Sequence, residues 1–161
     1  MWVIGVGYGE GHKDPLGSNT RSEIAQLGMT GVSGVKTFQT YVIDGQLDEK
    51  NACRIGGELL SDKVVQFFSC EKFDKDGGHV KGMVRARGAW AVEVFFRPGV
   101  MDPVGLSVAK AIEVLGIEGV KSVRTGTTYV LEGNLNEADV KAICEKTLAN
   151  PLIQTYRYER L

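Results

Sequence analysis

The chain has 161 residues, 43% of them hydrophobic, with 19 basic against 20 acidic side chains. That length holds one ordinary domain or two very small ones. A net charge of −1 excludes a general attraction to nucleic acid or to an anionic membrane. No apolar run approaches the roughly 20 residues that cross a bilayer, and the N-terminus lacks the basic segment and apolar core of a signal peptide. Cys53, Cys70 and Cys144 are scattered without CxxC spacing, which fits reduced thiols rather than a disulfide framework or a zinc site. The expected setting is the cytoplasm, with no nucleic acid or membrane partner.

In chain order, residues 2–8 read as a strand. Trp2, Ile4, Val6 and Tyr8 fall on one face and Gly5, Gly7 and Gly9 on the other. A glycine face leaves room for another element to approach closely. Asp14-Pro15 then starts a helix: Asp14 is placed to cap it, Pro15 suits its first position, and Gly28 sits where a left-handed C-terminal cap is expected. Residues 35–47 are rich in strand formers, residues 48–60 form a second helix capped by Asp48, and residues 63–69 form a last strand.

The order then starts again. Asp14-Pro15-Leu16-Gly17 returns as Asp102-Pro103-Val104-Gly105, an offset of 88 positions. At that offset the chain matches itself without a gap from Trp2/Trp90 to Gln66/Gln154, with 22 identities in 65 pairs. The second copy predicts a strand over 90–97, a helix from Pro103 with Val104, Val108, Ala111, Ile112 and Leu115 inward, and a left-handed cap at Gly116. A β-rich segment over 123–135 follows, which Gly126 is expected to break into two pieces. A second helix over 136–149, capped by Asn136, and a strand over 151–158 after the Asn150-Pro151 turn complete it. The chain therefore divides into repeat 1 (1–70), a basic linker (71–88) with an Asp76-Gly77-Gly78 turn, and repeat 2 (89–161). Each repeat is β-α-β-(β)-α-β, an α+β layout with helices on one face of a largely antiparallel sheet. One copy is marginal alone, so the two are expected to pack as a pseudo-two-fold pair.

The glycine-rich and histidine-containing stretches do not match catalytic patterns. In the stretch GVGYGEG at 5–11, a GxGxxG loop needs glycine at position 10, which is Glu10, or at position 12, which is His12. His12 and His79 have no counterparts in the other copy, and no GxSxG, HExxH or paired-carboxylate constellation occurs. The linker cations Lys72, Lys75, Lys81, Arg85 and Arg87 carry no aromatic stacking pattern and read as a solvated connector. A duplicated small domain without such a constellation points to a binding or assembly module, with no catalytic residue, cofactor site or metal site of its own.

Repeat 2 carries Arg97, Pro98, Gly99, Val100, Asp102, Pro103 and Gly105, then Leu115-Gly116, Val123-Arg124 and Gly126, then Cys144 and Leu148-Ala149-Asn150-Pro151. This pattern resembles the PurS family, the small subunit of formylglycinamide ribonucleotide amidotransferase. Repeat 1 keeps Gly11, Asp14, Pro15, Gly17, Leu27 and Gly28 but has Glu10 for Pro98, Phe38 for Gly126 and Asp62-Lys63 for Asn150-Pro151, and so resembles a diverged copy. The resemblance implies a covalent version of the PurS dimer. Such a chain would be non-catalytic and would bridge a PurL-type synthetase and a PurQ-type glutaminase in a complex that uses ATP and Mg. It implies that Arg97 and Arg124 are candidates for the partner interface, with solvated surface charge as the alternative. Pro98, Gly99, Asp102, Pro103, Gly105, Gly126, Asn150, Pro151, Asp14, Pro15 and Gly17 would be structural. Two other expectations stand beside this one: the N-terminal domain of a longer PurL-type synthetase, and a small-molecule-sensing module resembling ACT domains. Further self-association is left open.

Overall fold

The computed structural model describes residues 1–73, 84 and 86–161. The Asp76-Gly77-Gly78 turn, Lys75, Lys81, Arg85 and His79 lie outside the described residues.

Each repeat contributes three strands and two helical segments. Repeat 1 has β1 (Trp2–Tyr8), α1 (Pro15–Gln26), β2 (Val32–Gly45), α2 (Glu49–Arg54) and β3 (Gln66–Lys72). Repeat 2 has β4 (Trp90–Phe96), α3 (Pro103–Val114), β5 (Val120–Gly133), α4 (Glu137–Ile143) and β6 (Gln154–Arg160). Helices α2 and α4 run on into wider π-helical turns, Ile55–Leu60 and Cys144–Leu148. The ends of those turns are closed by bonds five residues back, Ser61 N–H to the Gly56 carbonyl and Ala149 N–H to the Cys144 carbonyl.

Helix starts follow the capping chemistry. Asp48 accepts from the Asn51 amide at 2.7 Å, and Asn136 and Asp139 form a reciprocal capping box. Gly28 (φ 80°) and Gly116 (φ 74°) take the left-handed conformation after α1 and α3.

Two expectations are corrected. β5 is unbroken through Gly126. That glycine serves the approach of β4, since a Cβ there would lie 2.5 Å from the Val94 carbonyl oxygen. The last strand of each repeat starts later than expected, because Asp62 and Asn150 close turns first. Asp62 accepts from the Val64 amide at 2.8 Å, and Asn150 from the Leu152 amide at 3.1 Å.

The six strands form one antiparallel sheet in the order β3-β1-β2-β5-β4-β6. The order reads the same from either end once the repeats are exchanged. β2 pairs with β5 in a register that sets Gln39 opposite Thr127, its own counterpart 88 residues on. The pseudo-two-fold axis therefore passes between these two residues. Beside it the hydroxyls of Thr40 and Thr128, another equivalent pair, share a buried hydrogen bond of 2.8 Å. Thr40→Val leaves the buried Thr128 hydroxyl short of a partner, at an expected cost of about 1–2 kcal/mol. The T40V/T128V double variant should be less destabilised than the two single changes added together. Urea denaturation of all four chains measures this coupling, and strict additivity would show that the bond contributes nothing across the axis.

The two larger hydrophobic cores among the described residues each draw on both repeats. In one, Trp2, Ile4, Tyr41, Ile43 and Ile55 of repeat 1 enclose Ile112 of α3. In the other, Trp90, Val92, Tyr129, Leu131 and Ile143 of repeat 2 enclose Ile24 of α1. Each first helix thus seals the core of the opposite repeat. Ile24 and Ile112 are fully buried, while Val104, expected inward, is half exposed at the start of α3. Among the described residues no helix is long and apolar enough to cross a membrane.

Candidate functional site

The repeated Asp-Pro-x-Gly has a tertiary role beyond capping. Asp102 Oδ1 accepts from the Gly105 amide at 2.8 Å, which caps α3. Oδ2 accepts from the Thr125 amide at 2.6 Å, and the Thr125 hydroxyl donates to the same carboxylate at 2.9 Å. One carboxylate thus ties the start of α3 to β5. Pro103 occupies the first turn of the helix. Gly105 lets the helix lie against the strand, since a Cβ there would sit 2.5 Å from the Val123 carbonyl oxygen. Repeat 1 does the same. Asp14 takes the Gly17 amide at 2.8 Å and the Thr37 amide at 2.7 Å, and a Cβ on Gly17 would meet the Val35 carbonyl oxygen at 2.5 Å. The threonines went unassigned from sequence, although Thr37/Thr125 is one of the identities at the 88-residue offset.

The loop before each helix, the tied strand and the last strand enclose a cleft. In repeat 2 it has a volume of about 480 Å³, and its walls include Phe95, Phe96, Tyr156 and three arginines, Arg97, Arg124 and Arg157. The two arginines expected from sequence are therefore brought to one site. Arg97 Nε donates to the Pro151 carbonyl at 3.0 Å, which links the Pro98-Gly99 turn to the Asn150-Pro151 turn. Gly99 is left-handed there, at φ 85°. Arg124 is exposed and forms no ion pair among the described residues. Arg157 was missed. It pairs with Glu93, a carboxylate only 3% exposed, because the β4–β6 register sets the two residues opposite each other. Glu93 and Asp102 are the acidic groups lining this cleft, and both accept bonds from within the protein.

Repeat 1 has the equivalent cleft, of about 490 Å³, with different walls. Gly9 stands for Arg97, Lys36 for Arg124, and Ser69 for Arg157. Lys36 is drawn to Glu132 at 3.0 Å. Glu10 and His12 occupy the loop, and Phe38 and Phe67 meet edge to face with centroids 6.0 Å apart. A size exchange accompanies this change. Phe38 lies over Gly7, where a Cβ would come within 2.6 Å of the ring, whereas in repeat 2 Phe95 lies against Gly126 in the same relation. The backbone survives the divergence: Gly9 and Arg97 donate to the equivalent carbonyls of Val65 and Ile153 at 2.9 and 2.8 Å.

Cys144, buried at the start of the second π-helical turn, has its thiol pushed up to about 12 by burial. It is a neutral packing group at physiological pH rather than a thiolate nucleophile.

The fold and the clefts define a tandem α+β scaffold with one arginine-lined and one diverged copy of the same site. The PurS family model, described as phosphoribosylformylglycinamidine (FGAM) synthase, matches residues 89–161. Subunit PurS of phosphoribosylformylglycinamidine synthase from Archaeoglobus fulgidus is 36% identical over 70 residues, which are 40% of this chain and 88% of that protein. The corresponding Bacillus subtilis subunit is 38% identical over 72 residues, 42% of this chain and 86% of that protein. The crystal structure of Methanocaldococcus jannaschii PurS aligns at 30% identity with a TM-score of 0.41, covering 45% of this chain and 96% of that one. The chain belongs to the PurS family. Each of these relatives matches less than half of it, about the length of one repeat.

Proposed function

We propose that this chain is a non-catalytic assembly subunit of phosphoribosylformylglycinamidine synthase in purine biosynthesis, acting in the cytoplasm. Its role is to hold a PurL-type synthetase and a PurQ-type glutaminase together, so that ammonia released from glutamine reaches the ATP- and Mg-dependent step. The observation that carries this reading is the family match over residues 89–161, together with 36–38% identity to subunits of that synthase over 70 and 72 residues. In this chain the family unit is built into one continuous two-fold sheet. The arginine cleft supplies a surface with which a partner can engage.

The test measures synthesis of formylglycinamidine ribonucleotide by the organism's synthetase and glutaminase, with and without this chain. With glutamine as nitrogen source, the rate should fall at least about tenfold without it, a barrier difference of about 1.4 kcal/mol. With free ammonia the rate should hold. Equal rates with glutamine in both mixtures would refute the assembly role.

A further inference from the structure

We propose that the chain has a single docking cleft, that of repeat 2, and that its occupant is an acidic segment of the synthetase subunit. The proposal rests on the assembly reading above and adds which face binds, what chemistry it recognises, and how many partners one chain carries.

The case begins with symmetry. The sheet, the capped helices and the turns are preserved about the pseudo-two-fold axis, so both clefts keep the same backbone. What lines the two clefts differs, in the side chains and, for repeat 1, in the added Val84 and Ala86 of the linker. Of the three guanidinium groups in the repeat 2 cleft, Arg157 is paired with Glu93, and Asp102 accepts from Gly105 and Thr125, which leaves Arg97 and Arg124 without a carboxylate partner among the described residues. The repeat 1 cleft has Gly9 for Arg97, lacks the Arg157–Glu93 pair altogether (Ser69 and Gly5), has turned its lysine to Glu132, and has gained Glu10. An acidic group entering repeat 2 meets planar, multiply donating guanidinium groups suited to carboxylates. Entering repeat 1, it meets a carboxylate in the loop.

The rim argues for a protein occupant. Met101 is 72% exposed and Leu152 is 84% exposed, and they flank the turns that Arg97 links. Arginine, methionine and aromatic side chains are the types enriched at protein interfaces. The counterpart of Met101 in repeat 1 is Lys13, while Leu152 is matched by the exposed Val64, so the apolar rim is reduced there by one side chain.

The experiment titrates the full chain with the organism's synthetase subunit by calorimetry, at low and moderate salt. Variants Arg124→Ala, Arg124→Lys and Lys36→Ala are compared after their melting temperatures are checked against the parent. One synthetase should bind per chain, with affinity falling as salt rises. R124A should weaken binding about tenfold or more, R124K should restore part of the loss, and K36A should change it less than about twofold. Two synthetases per chain, or equal losses from K36A and R124A, would overturn the single cleft while leaving the assembly role standing. So would unchanged binding by R124A. A rise in the melting temperature of the free chain with ribose 5-phosphate, absent in R124A, would make the cleft a small-molecule site and overturn the acidic-segment occupant. Failure of the parent chain to bind the synthetase at all would remove both readings together.

Discussion

Asp102→Ala is expected to destabilise the protein by about 3 kcal/mol, most of it from the tether to β5 rather than from the cap. The cap to Gly105 contributes about 1 kcal/mol. The larger part comes from Thr125, whose amide and hydroxyl both donate to this carboxylate in a site only 4% exposed. Leaving buried donors unpaired costs about 1–3 kcal/mol. For a chain of this size the loss corresponds to a fall in melting temperature of roughly 6–12 °C. Asp102→Asn should lie between, since its amide keeps one acceptor oxygen but sets donors against the Thr125 donors. Adding Thr125→Val to Asp102→Ala removes the stranded hydroxyl and should return part of the loss. Urea midpoints for these chains decide the matter. A loss below about 1 kcal/mol in D102A would reduce the carboxylate to an ordinary cap. Asp14→Ala should behave alike, because its bonds to Gly17 and Thr37 repeat the same geometry.

Gly133→Ala should be at least as severe, at about 3 kcal/mol or more. Gly133 ends β5 at φ 137°, and a Cβ there would lie 2.0 Å from the Gly31 carbonyl oxygen and 2.8 Å from the Ser33 nitrogen. These are backbone atoms of the neighbouring repeat, so no side chain can swing aside. Left-handed strain adds about 1–3 kcal/mol to the cost of the clash. The equivalent Gly45, at φ 151°, meets the Gly119 carbonyl oxygen at 2.1 Å. G45A should therefore match G133A closely in a thermal melt, and both should exceed Gly99→Ala, whose Cβ would meet nothing within 4 Å. G133A melting within a few degrees of the parent would mean that the two central strands separate easily at their ends.

Features carried by neighbouring residues were legible in the sequence. The caps at Asp14, Asp48, Asp102 and Asn136 and the left-handed glycines at 28 and 116 are decided within a single turn of chain. The 88-residue repeat made the two-fold arrangement readable as well. Features set by pairing between distant segments were not. The continuity of β5 through Gly126 depends on where the Val94 carbonyl lies. The late starts of β3 and β6 depend on turns at Asp62 and Asn150, which the β-branched Val64, Val65 and Ile153 disguise as strand. Arg157 joins Arg97 and Arg124 only through the register of β4 with β6. The exchange of first helices between cores left no trace in the pattern, because Ile24 and Ile112 show the same apolar face whichever core receives them.

The β2–β5 ladder has a consequence for behaviour on dilution. A two-fold sheet made from separate chains dissociates as its concentration falls, and its stability is inseparable from that concentration. Here the two central strands belong to one polypeptide, and each repeat supplies a helix to the other's core. Joining the halves makes their meeting intramolecular, at an effective concentration set by the chain between them. The two halves therefore remain assembled when only a few copies are present, because their meeting does not depend on protein concentration.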